Sequence, residues 1–172
     1  MTAGDAGDAA LAPFPAGHDA DGLGARLAEM DLTLMTAESI TGGGIAKTLV
    51  AVEGSGSWLL GGIVAYAPRV KYELLEVRPG PLVTAEVATA MARGAARLAK
   101  ADVAIATTGC AGPEPVEGQA PGTVWIAVAI GDDAQAEKHR FEGEPEDVAT
   151  SAVETAIAFA CRRLDARPAE PS

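Results

Sequence analysis

The sequence is poor in histidine and cysteine, the side chains on which most metal sites and disulfide frameworks depend. Its two histidines, His18 and His139, show no HxxxH spacing, and no CxxC pair accompanies them, so we expect both to be solvated or locally bonded rather than metal ligands. The same scarcity leaves little material for a Ser-His-Asp triad. The two cysteines, Cys110 and Cys161, do not suggest a disulfide framework, which favours a reducing, cytoplasmic location.

Basic residues and long apolar runs are also scarce. The chain has 13 lysines and arginines against 24 aspartates and glutamates, a formal net charge of −11, so we expect no nucleic-acid partner. No apolar run reaches the length of a membrane span and no signal peptide precedes the domain, so we expect no membrane partner. With 172 residues, of which 48% are hydrophobic, the sequence is typical of one globular domain.

Short apolar runs alternate with amphipathic and alanine-rich stretches, which is typical of an α/β protein. The patterns predict strands over residues 32–35, 62–66, 103–107, 124–130 and 135–141, the last of them a polar antiparallel edge strand. They predict helices over residues 23–30, 45–50, 68–75, 84–99 and 145–164. We therefore expect a single layered α/β domain over residues 21–165, with a mixed, partly parallel sheet covered by helices. Residues 1–20 are expected to form a disordered N-terminal tail, and residues 166–172 a loose C-terminal tail.

Ser39 stands where the first predicted strand meets a glycine cluster that opens a helix, in the stretch TAESITGGG of residues 36–44. A serine at a strand-to-helix turn has an accessible hydroxyl and free backbone N–H groups beside it, which is how a nucleophile and an oxyanion site are built together. Serine is also a preferred helix N-cap residue, so both interpretations stay open. The glycines match no phosphate-binding loop, and close helix–strand packing explains them equally well.

Lys71 is the remaining side chain that could activate Ser39. Most lysines are solvated charges, but Lys71 adjoins the core-like positions Val70, Leu74 and Leu75 on its predicted helix. To act as a base near neutral pH, its pKa must fall from about 10.4 by roughly three units, which requires burial or a cationic neighbour. Arg69 is a candidate for that neighbour.

Tyr66 and Thr108 follow two other predicted strands. In an open α/β sheet, ligands bind beyond the carboxyl ends of the strands, so Ser39, Tyr66 and Thr108 are expected at one edge. Tyr66 would donate a hydrogen bond to Lys71 or to a substrate; the alternative is an ordinary half-buried aromatic residue.

Four ordered stretches resemble the C-terminal domain family of the competence/damage-inducible protein CinA. They are TAESxTGG at residues 36–43, GGxVxY at residues 61–66 with Lys71 five residues on, GxAGP at residues 109–113 and GTVW at residues 122–125. The resemblance covers about residues 23–164. The enzymatic members of this family are nicotinamide mononucleotide (NMN) amidohydrolases, also called NMN deamidases.

The resemblance implies a Ser/Lys dyad that hydrolyses the carboxamide of NMN to nicotinic acid mononucleotide and ammonia. Ser39 would be the nucleophile and Lys71 the base, with Tyr66 as a third catalytic residue. Substrate-binding roles fall to these positions: Glu38, Thr41, Gly42, Gly43, Thr108, Gly109, Ala111 and Gly112. No metal or organic cofactor is implied, the partner is a small pyridine nucleotide or related amide, and the alanine- and glycine-rich helix faces suit a homo-oligomer. Full-length CinA proteins also carry an N-terminal molybdopterin-binding-like domain with pyrophosphatase activity, which the few residues before the first helix are not expected to form.

The chain departs from the family pattern at several positions. Ile40 replaces a usual cysteine, Ala67-Pro68 replaces a common Ser-Asn, and a usually glycine-rich loop reads EPVE at residues 114–117. Near the last helix, where the family often carries arginines, this chain has GEP at residues 143–145 and VA at residues 148–149. Loss of arginine and gain of glutamate weaken attraction for a phosphate. An amidase for a different small amide, or a catalytically silent nucleotide-binding or interaction domain, therefore stays open.

Overall fold

The computed structural model describes residues 14–167, which form an α/β domain. The elements follow in the order α1 (Ala20–Glu29), β1 (Leu34–Glu38), α2 (Gly44–Val50), a 3-10 turn (Ser55–Ser57), β2 (Leu59–Val64), α3 (Pro68–Leu75), α4 (Ala85–Ala99), β3 (Val103–Gly109), β4 (Thr123–Ile130), β5 (Asp133–Arg140) and α5 (Pro145–Asp165). The predicted fold class is confirmed. None of the helices within the described residues has the length and apolar character of a membrane span.

The strands form one mixed sheet in the order β2-β1-β3-β4-β5. β2, β1 and β3 are parallel, whereas β4 and β5 add to the sheet in antiparallel fashion. Glu38, at the end of β1, lies opposite Val64 of β2 and Thr107 of β3. The carboxyl ends of the three parallel strands therefore meet at one edge of the sheet, as predicted.

The two faces of the sheet pack differently. One face presents large side chains such as Leu34, Ile105 and Ile126 to helices α1, α2 and α5. The other presents mainly alanines, among them Ala104 and Ala106, to α4. Small side chains let a helix lie close to the strands, so α4 packs tightly on this face, and α3 packs in turn against α4.

Several predicted boundaries differ from the observed ones. β1 begins at Leu34 rather than at residue 32, because the chain turns at Asp31, whose φ is 53°, and the Leu32 N–H bonds back to α1. β2 ends at Val64 rather than at residue 66, so Tyr66 lies beyond the strand. α1 ends at Glu29 rather than at residue 30, and Met30, its C-cap residue, is 40% exposed.

The N-terminal boundary rests on specific contacts. Asp19 caps α1 by accepting the Gly22 N–H at 2.9 Å, and the Arg26 guanidinium donates to the Gly17 carbonyl at 2.6 Å. Helix α1 thus begins at the last residue of the tail predicted over residues 1–20. Residues 1–13 and 168–172 of the two predicted tails lie outside the described residues.

The close contact between α3 and α4 predicts that a larger side chain at this point lowers the stability of the protein. A Cβ built at Gly94 of α4 would overlap the backbone carbonyl of Leu75, at the end of α3. We expect Gly94→Ala to lower the free energy of unfolding by about 1–3 kcal/mol, because overpacking against the backbone outweighs alanine's better helix propensity. Urea unfolding measures this. Gly56→Ala is the matched control, since nothing lies within 4 Å of its Cβ position; equal losses in both variants would contradict the packing argument.

Candidate active site

Ser39 occupies the turn between β1 and α2. Its N–H donates to the Thr107 carbonyl at 3.2 Å, and its own carbonyl accepts the Gly42 N–H at 3.1 Å. Gly42 and Gly43 have φ values of 58° and 95°, a left-handed conformation that favours glycine and turns the chain sharply into the helix. The N-cap position of α2 belongs to Gly43. The alternative role of Ser39 as a helix cap is therefore not observed.

The buried carboxylate of Glu38 holds this turn together. It accepts the N–H groups of Ile45 at 2.9 Å and Ala46 at 2.8 Å, in the first turn of α2. It also accepts the hydroxyls of Thr36 at 3.0 Å and Thr41 at 2.6 Å. Glu38 is fully buried, so these four donors compensate the cost of desolvating the charge. Glu38 and Thr41, predicted as substrate-binding residues, thus direct their side chains into the protein and shape the turn.

The side chain of Lys71 contacts Ser39 from a different element of the fold. It lies on α3, is only 3% exposed, and donates to Ser39 Oγ at 2.9 Å. Its ammonium also donates to the carbonyls of Ala65 at 2.6 Å and Tyr66 at 3.1 Å. An ammonium has three N–H donors, so every one of them is used. When Lys71 is neutral, the two carbonyls retain two N–H groups and the lone pair points to Ser39 Oγ.

Burial lowers the pKa of Lys71 from its ordinary value, and the negative charge of Glu117 partly opposes this shift. Desolvation penalises the charged form of a lysine, which is the direction that a general base near neutral pH requires. Arg69, the predicted alternative cause, is 81% exposed and lies 4.0 Å from Glu73 on the same helix. Burial, rather than a cationic neighbour, therefore lowers this pKa.

Tyr66 contributes its backbone rather than its side chain to the contact with Lys71. Its carbonyl accepts a hydrogen bond from the ammonium, while the side chain is 77% exposed. The expected hydrogen bond from the Tyr66 hydroxyl to Lys71 is therefore absent, and the alternative of a half-buried aromatic is also wrong. The reason is the earlier end of β2, which leaves Tyr66 in the connection to α3.

The residues after β3 lie at the same edge of the sheet. Thr108 is buried, and its hydroxyl donates to the Leu82 carbonyl at 2.8 Å, so it joins the site to the segment before α4. Gly109 lies against Ile40, where a Cβ would come within 3.0 Å of the Ile40 side chain. Ala111 and Gly112 are partly buried and begin the loop of residues 110–122. The stretches predicted to form the site thus lie at one edge of the sheet, but the Thr108 hydroxyl is used in a hydrogen bond within the protein.

Glu117 lies in that loop, in the EPVE stretch that replaces a usually glycine-rich sequence. Its carboxylate accepts the N–H groups of Leu82 at 2.7 Å and Val83 at 2.9 Å, which ties the loop to the chain before α4. The Ala65 carbonyl was not predicted, because a backbone acceptor leaves no signature in the sequence. Within residues 14–167, no group of three or more His, Cys, Asp or Glu side chains is placed to hold a metal ion.

Comparison with protein families and curated sequences gives one consistent result. The model of the CinA C-terminal domain matches residues 19–164. A CinA-like protein of Geobacter sulfurreducens is 42% identical over 142 residues, which cover 79% of this chain and 34% of the relative. A CinA-like protein of Citrifermentans bemidjiense is 39% identical over 158 residues, covering 88% of this chain and 38% of the relative. The chain thus spans about a third of the length of these curated relatives.

Solved structures show the same similarity. A competence-damaged protein (CinA) superfamily protein from Klebsiella pneumoniae matches with a TM-score of 0.83 and 32% identity, over 88% of this chain and 99% of that chain. The competence/damage inducible protein CihA from Agrobacterium tumefaciens matches with a TM-score of 0.77 and 28% identity, over 90% of this chain and 99% of that chain.

The Glu38 contacts predict a large stability effect. In Glu38→Gln, an amide N–H₂ group replaces one of the two carboxylate oxygens. The groups that donated to this oxygen then face another donor, so buried donors lose their acceptor. We expect the free energy of unfolding to fall by about 2–4 kcal/mol, measured by urea unfolding. Glu53→Gln, at an exposed position, is the control and should change it by less than about 0.5 kcal/mol. Equal stability of the Glu38 variant and the parent protein would show that the turn does not depend on this carboxylate.

Proposed function

The chain belongs to the CinA C-terminal domain family, and we propose that it is a Ser/Lys amidohydrolase of the NMN deamidase type. The observation that carries the proposal is the buried Lys71 ammonium, 2.9 Å from Ser39 Oγ. A hydroxyl is a weak nucleophile until a base takes its proton, and an adjacent desolvated lysine is a suitable base. No histidine contacts either residue among the described side chains, so lysine is the base that the site offers.

The first half of the reaction forms an acyl-enzyme. Neutral Lys71 removes the proton of Ser39 Oγ, and the oxygen attacks the carboxamide carbon of the substrate. Within residues 14–167, the N–H groups of Ile40 and Thr41 have no hydrogen-bond acceptor, so they are available to stabilise the developing oxyanion. Protonated Lys71 then gives its proton to the leaving nitrogen, ammonia departs, and the acyl group remains as an ester on Ser39.

Water completes the reaction. Lys71, neutral again, takes a proton from the attacking water and returns it to Ser39 Oγ as the ester bond breaks, which releases the carboxylic acid and restores neutral Lys71 and the serine hydroxyl. With NMN as substrate, the products are nicotinic acid mononucleotide and ammonia. The carbonyls of Ala65 and Tyr66 hold the amine in one orientation through both halves. This fixed geometry supports the same group acting first as base and then as acid.

A second candidate keeps this chemistry but takes an amide without a phosphate. The observation that favours it is the start of α5, where relatives often carry arginine. Here Glu144 accepts from the N–H of Asp147, and the Glu144 N–H donates to the Asp147 carboxylate at 2.9 Å, so two carboxylates cap the helix. The loop with Glu114 and Glu117 adds more negative charge at the same edge of the sheet. Carboxylates repel a phosphate, whereas arginines would bind it.

Activity is tested by ammonia release from NMN and from nicotinamide riboside, its phosphate-free counterpart. We expect turnover by the parent protein and a loss of about 10³-fold or more in Ser39→Ala. Lys71→Met should lose about 10²–10⁴-fold, the usual contribution of a general base. Circular dichroism controls for folding. Ammonia release at the parent rate by Ser39→Ala would contradict the proposal, and faster turnover of the riboside would favour the second candidate.

The pH dependence tests the base. The neutral form of Lys71 is the active one, so kcat/KM should rise with pH through an apparent pKa below the ordinary lysine value of about 10.4. Glu117 favours the charged form, so Glu117→Gln should move the rise to lower pH. Glu29→Gln, an exposed position on α1, is the matched control for total charge and should leave the profile in place. An opposite shift in the Glu117 variant would show that Lys71 does not act as the base.

A further inference from the structure

The loop of residues 110–122 is closed at its base and at its tip by backbone hydrogen bonds. At the base, the Cys110 N–H donates to the Thr123 carbonyl at 2.8 Å. At the tip, Val116 and Gln119 exchange hydrogen bonds of 3.2 and 2.8 Å across a two-residue turn. The loop therefore has a defined shape, and a contact between its tip and the rest of the domain fixes where it lies.

Glu117 occupies this turn in a backbone conformation that is uncommon for its residue type. Its φ is 53° and that of Gly118 is 73°, so both residues of the turn are left-handed, as in a type I′ hairpin turn. Such positions favour glycine, asparagine and aspartate, because other side chains meet a steric cost there. A residue kept in an unfavourable conformation is a candidate for a functional role, and here the side chain of that residue makes the contacts that hold the tip.

The Glu117 carboxylate binds the segment that connects α3 to α4. One oxygen, Oε2, accepts both the Leu82 N–H at 2.7 Å and the Val83 N–H at 2.9 Å. The Leu82 carbonyl accepts the Thr108 hydroxyl at 2.8 Å, so the same segment is also tied to the end of β3. These backbone groups lie outside the helices and strands, and side chains from a distant part of the sequence satisfy them.

This contact places the loop beside both residues of the proposed dyad. The chain leaves β3 at Gly109, where a Cβ would lie 3.0 Å from the side chain of Ile40, the residue after Ser39. At the tip, the charge of Glu117 acts on the Lys71 amine. The loop thus runs from the Ser39 side of the site to the Lys71 side, and its first residues are among those predicted to bind substrate.

We propose that Glu117 is a positioning residue for the substrate: by binding the N–H groups of Leu82 and Val83, it holds the loop of residues 110–122 as one wall of the site. The proposal rests on the Ser/Lys amidohydrolase function proposed above, and it assigns Glu117 no contact with the reacting atoms. A loop that is already held does not have to be ordered when the substrate binds. Hydrogen bonds to a charged acceptor are stronger than neutral ones, so two of them favour the held position. Without them, only a fraction of the molecules has a complete site, and the apparent affinity falls by that fraction.

The geometry separates this role of Glu117 from the effect of its charge. Because both N–H groups donate to a single oxygen, the amide oxygen of Glu117→Gln can take its place, whereas Glu117→Ala leaves both donors without an acceptor. Both variants lose the same charge, so a difference between them reports the hydrogen bonds alone. Glu114→Ala is the matched control, since it removes an exposed carboxylate from the same loop that has no hydrogen-bond partner among the described residues.

Steady-state kinetics of ammonia release from NMN test the role in binding, at a pH above the rise in kcat/KM of each protein. We expect KM to increase about tenfold or more in Glu117→Ala, with kcat changed by less than about threefold, because uniform binding is lost. Glu117→Gln should keep KM within about twofold of the parent value, and Glu114→Ala should not raise it. Turnover by Glu117→Ala at the parental KM, or an equal rise in Glu117→Gln, would overturn this role.

Amide hydrogen exchange, followed by NMR, tests the contact without turnover. We expect the Leu82 and Val83 amides to exchange about tenfold faster in Glu117→Ala than in the parent protein, and at near-parental rates in Glu117→Gln. The Ile105 amide, in the middle of β3, reports global stability and should exchange equally in all three proteins. Unchanged protection of Leu82 and Val83 in Glu117→Ala would overturn the proposal. Absence of ammonia release from the parent protein would instead overturn the proposed function, and the role of the loop in binding NMN with it, while the exchange rates would still decide whether Glu117 holds the loop.

Discussion

The site depends on a single constraint, the burial of the Lys71 amine against fixed oxygen acceptors. A lysine at 3% exposure is costly unless its donors are satisfied, and here Ser39 Oγ and the carbonyls of Ala65 and Tyr66 satisfy all three. The carbonyls compensate the burial without adding charge, so desolvation still lowers the pKa. The hydrogen bonds that allow the Lys71 amine to be buried therefore also orient it as a base toward the Ser39 hydroxyl.

The parallel strands hold the two partners at this distance. Ser39 follows β1 and donates its N–H to the Thr107 carbonyl of β3, while Lys71 lies on the helix that follows β2. Glu38 fixes the Ser39 turn by binding the first N–H groups of α2, a role that a helix-capping side chain usually fills. Gly94 allows α4 to press against the end of α3, which supports the helix carrying Lys71. The sheet and its helices thus together hold Lys71 Nζ 2.9 Å from Ser39 Oγ.

Much of this arrangement was predictable from local chemistry. Pro68 at the first turn of α3 and Thr84 as the cap of α4 set those helices, and both bounds agree with the structure. The proximity of Ser39 and Lys71 follows from the resemblance and from the common edge of parallel strands. The predicted contact of the Tyr66 hydroxyl with Lys71 is wrong because a strand of alternating exposure gives no clear end, whereas a hydrogen bond from Tyr66 to a substrate stays a prediction. Glu38 is predicted at the site, but its hydrogen bonds to α2 and the two carbonyls that hold Lys71 are not, because backbone donors and acceptors leave no signature in the sequence.

The most direct measurement is the intact mass of the protein quenched in acid during turnover of NMN, followed by peptide mapping. The account predicts an added acyl group on the peptide that contains Ser39, absent from Ser39→Ala and depleted in Lys71→Met. An adduct on another residue, or an initial burst of ammonia from the parent protein with no adduct at Ser39, would contradict it.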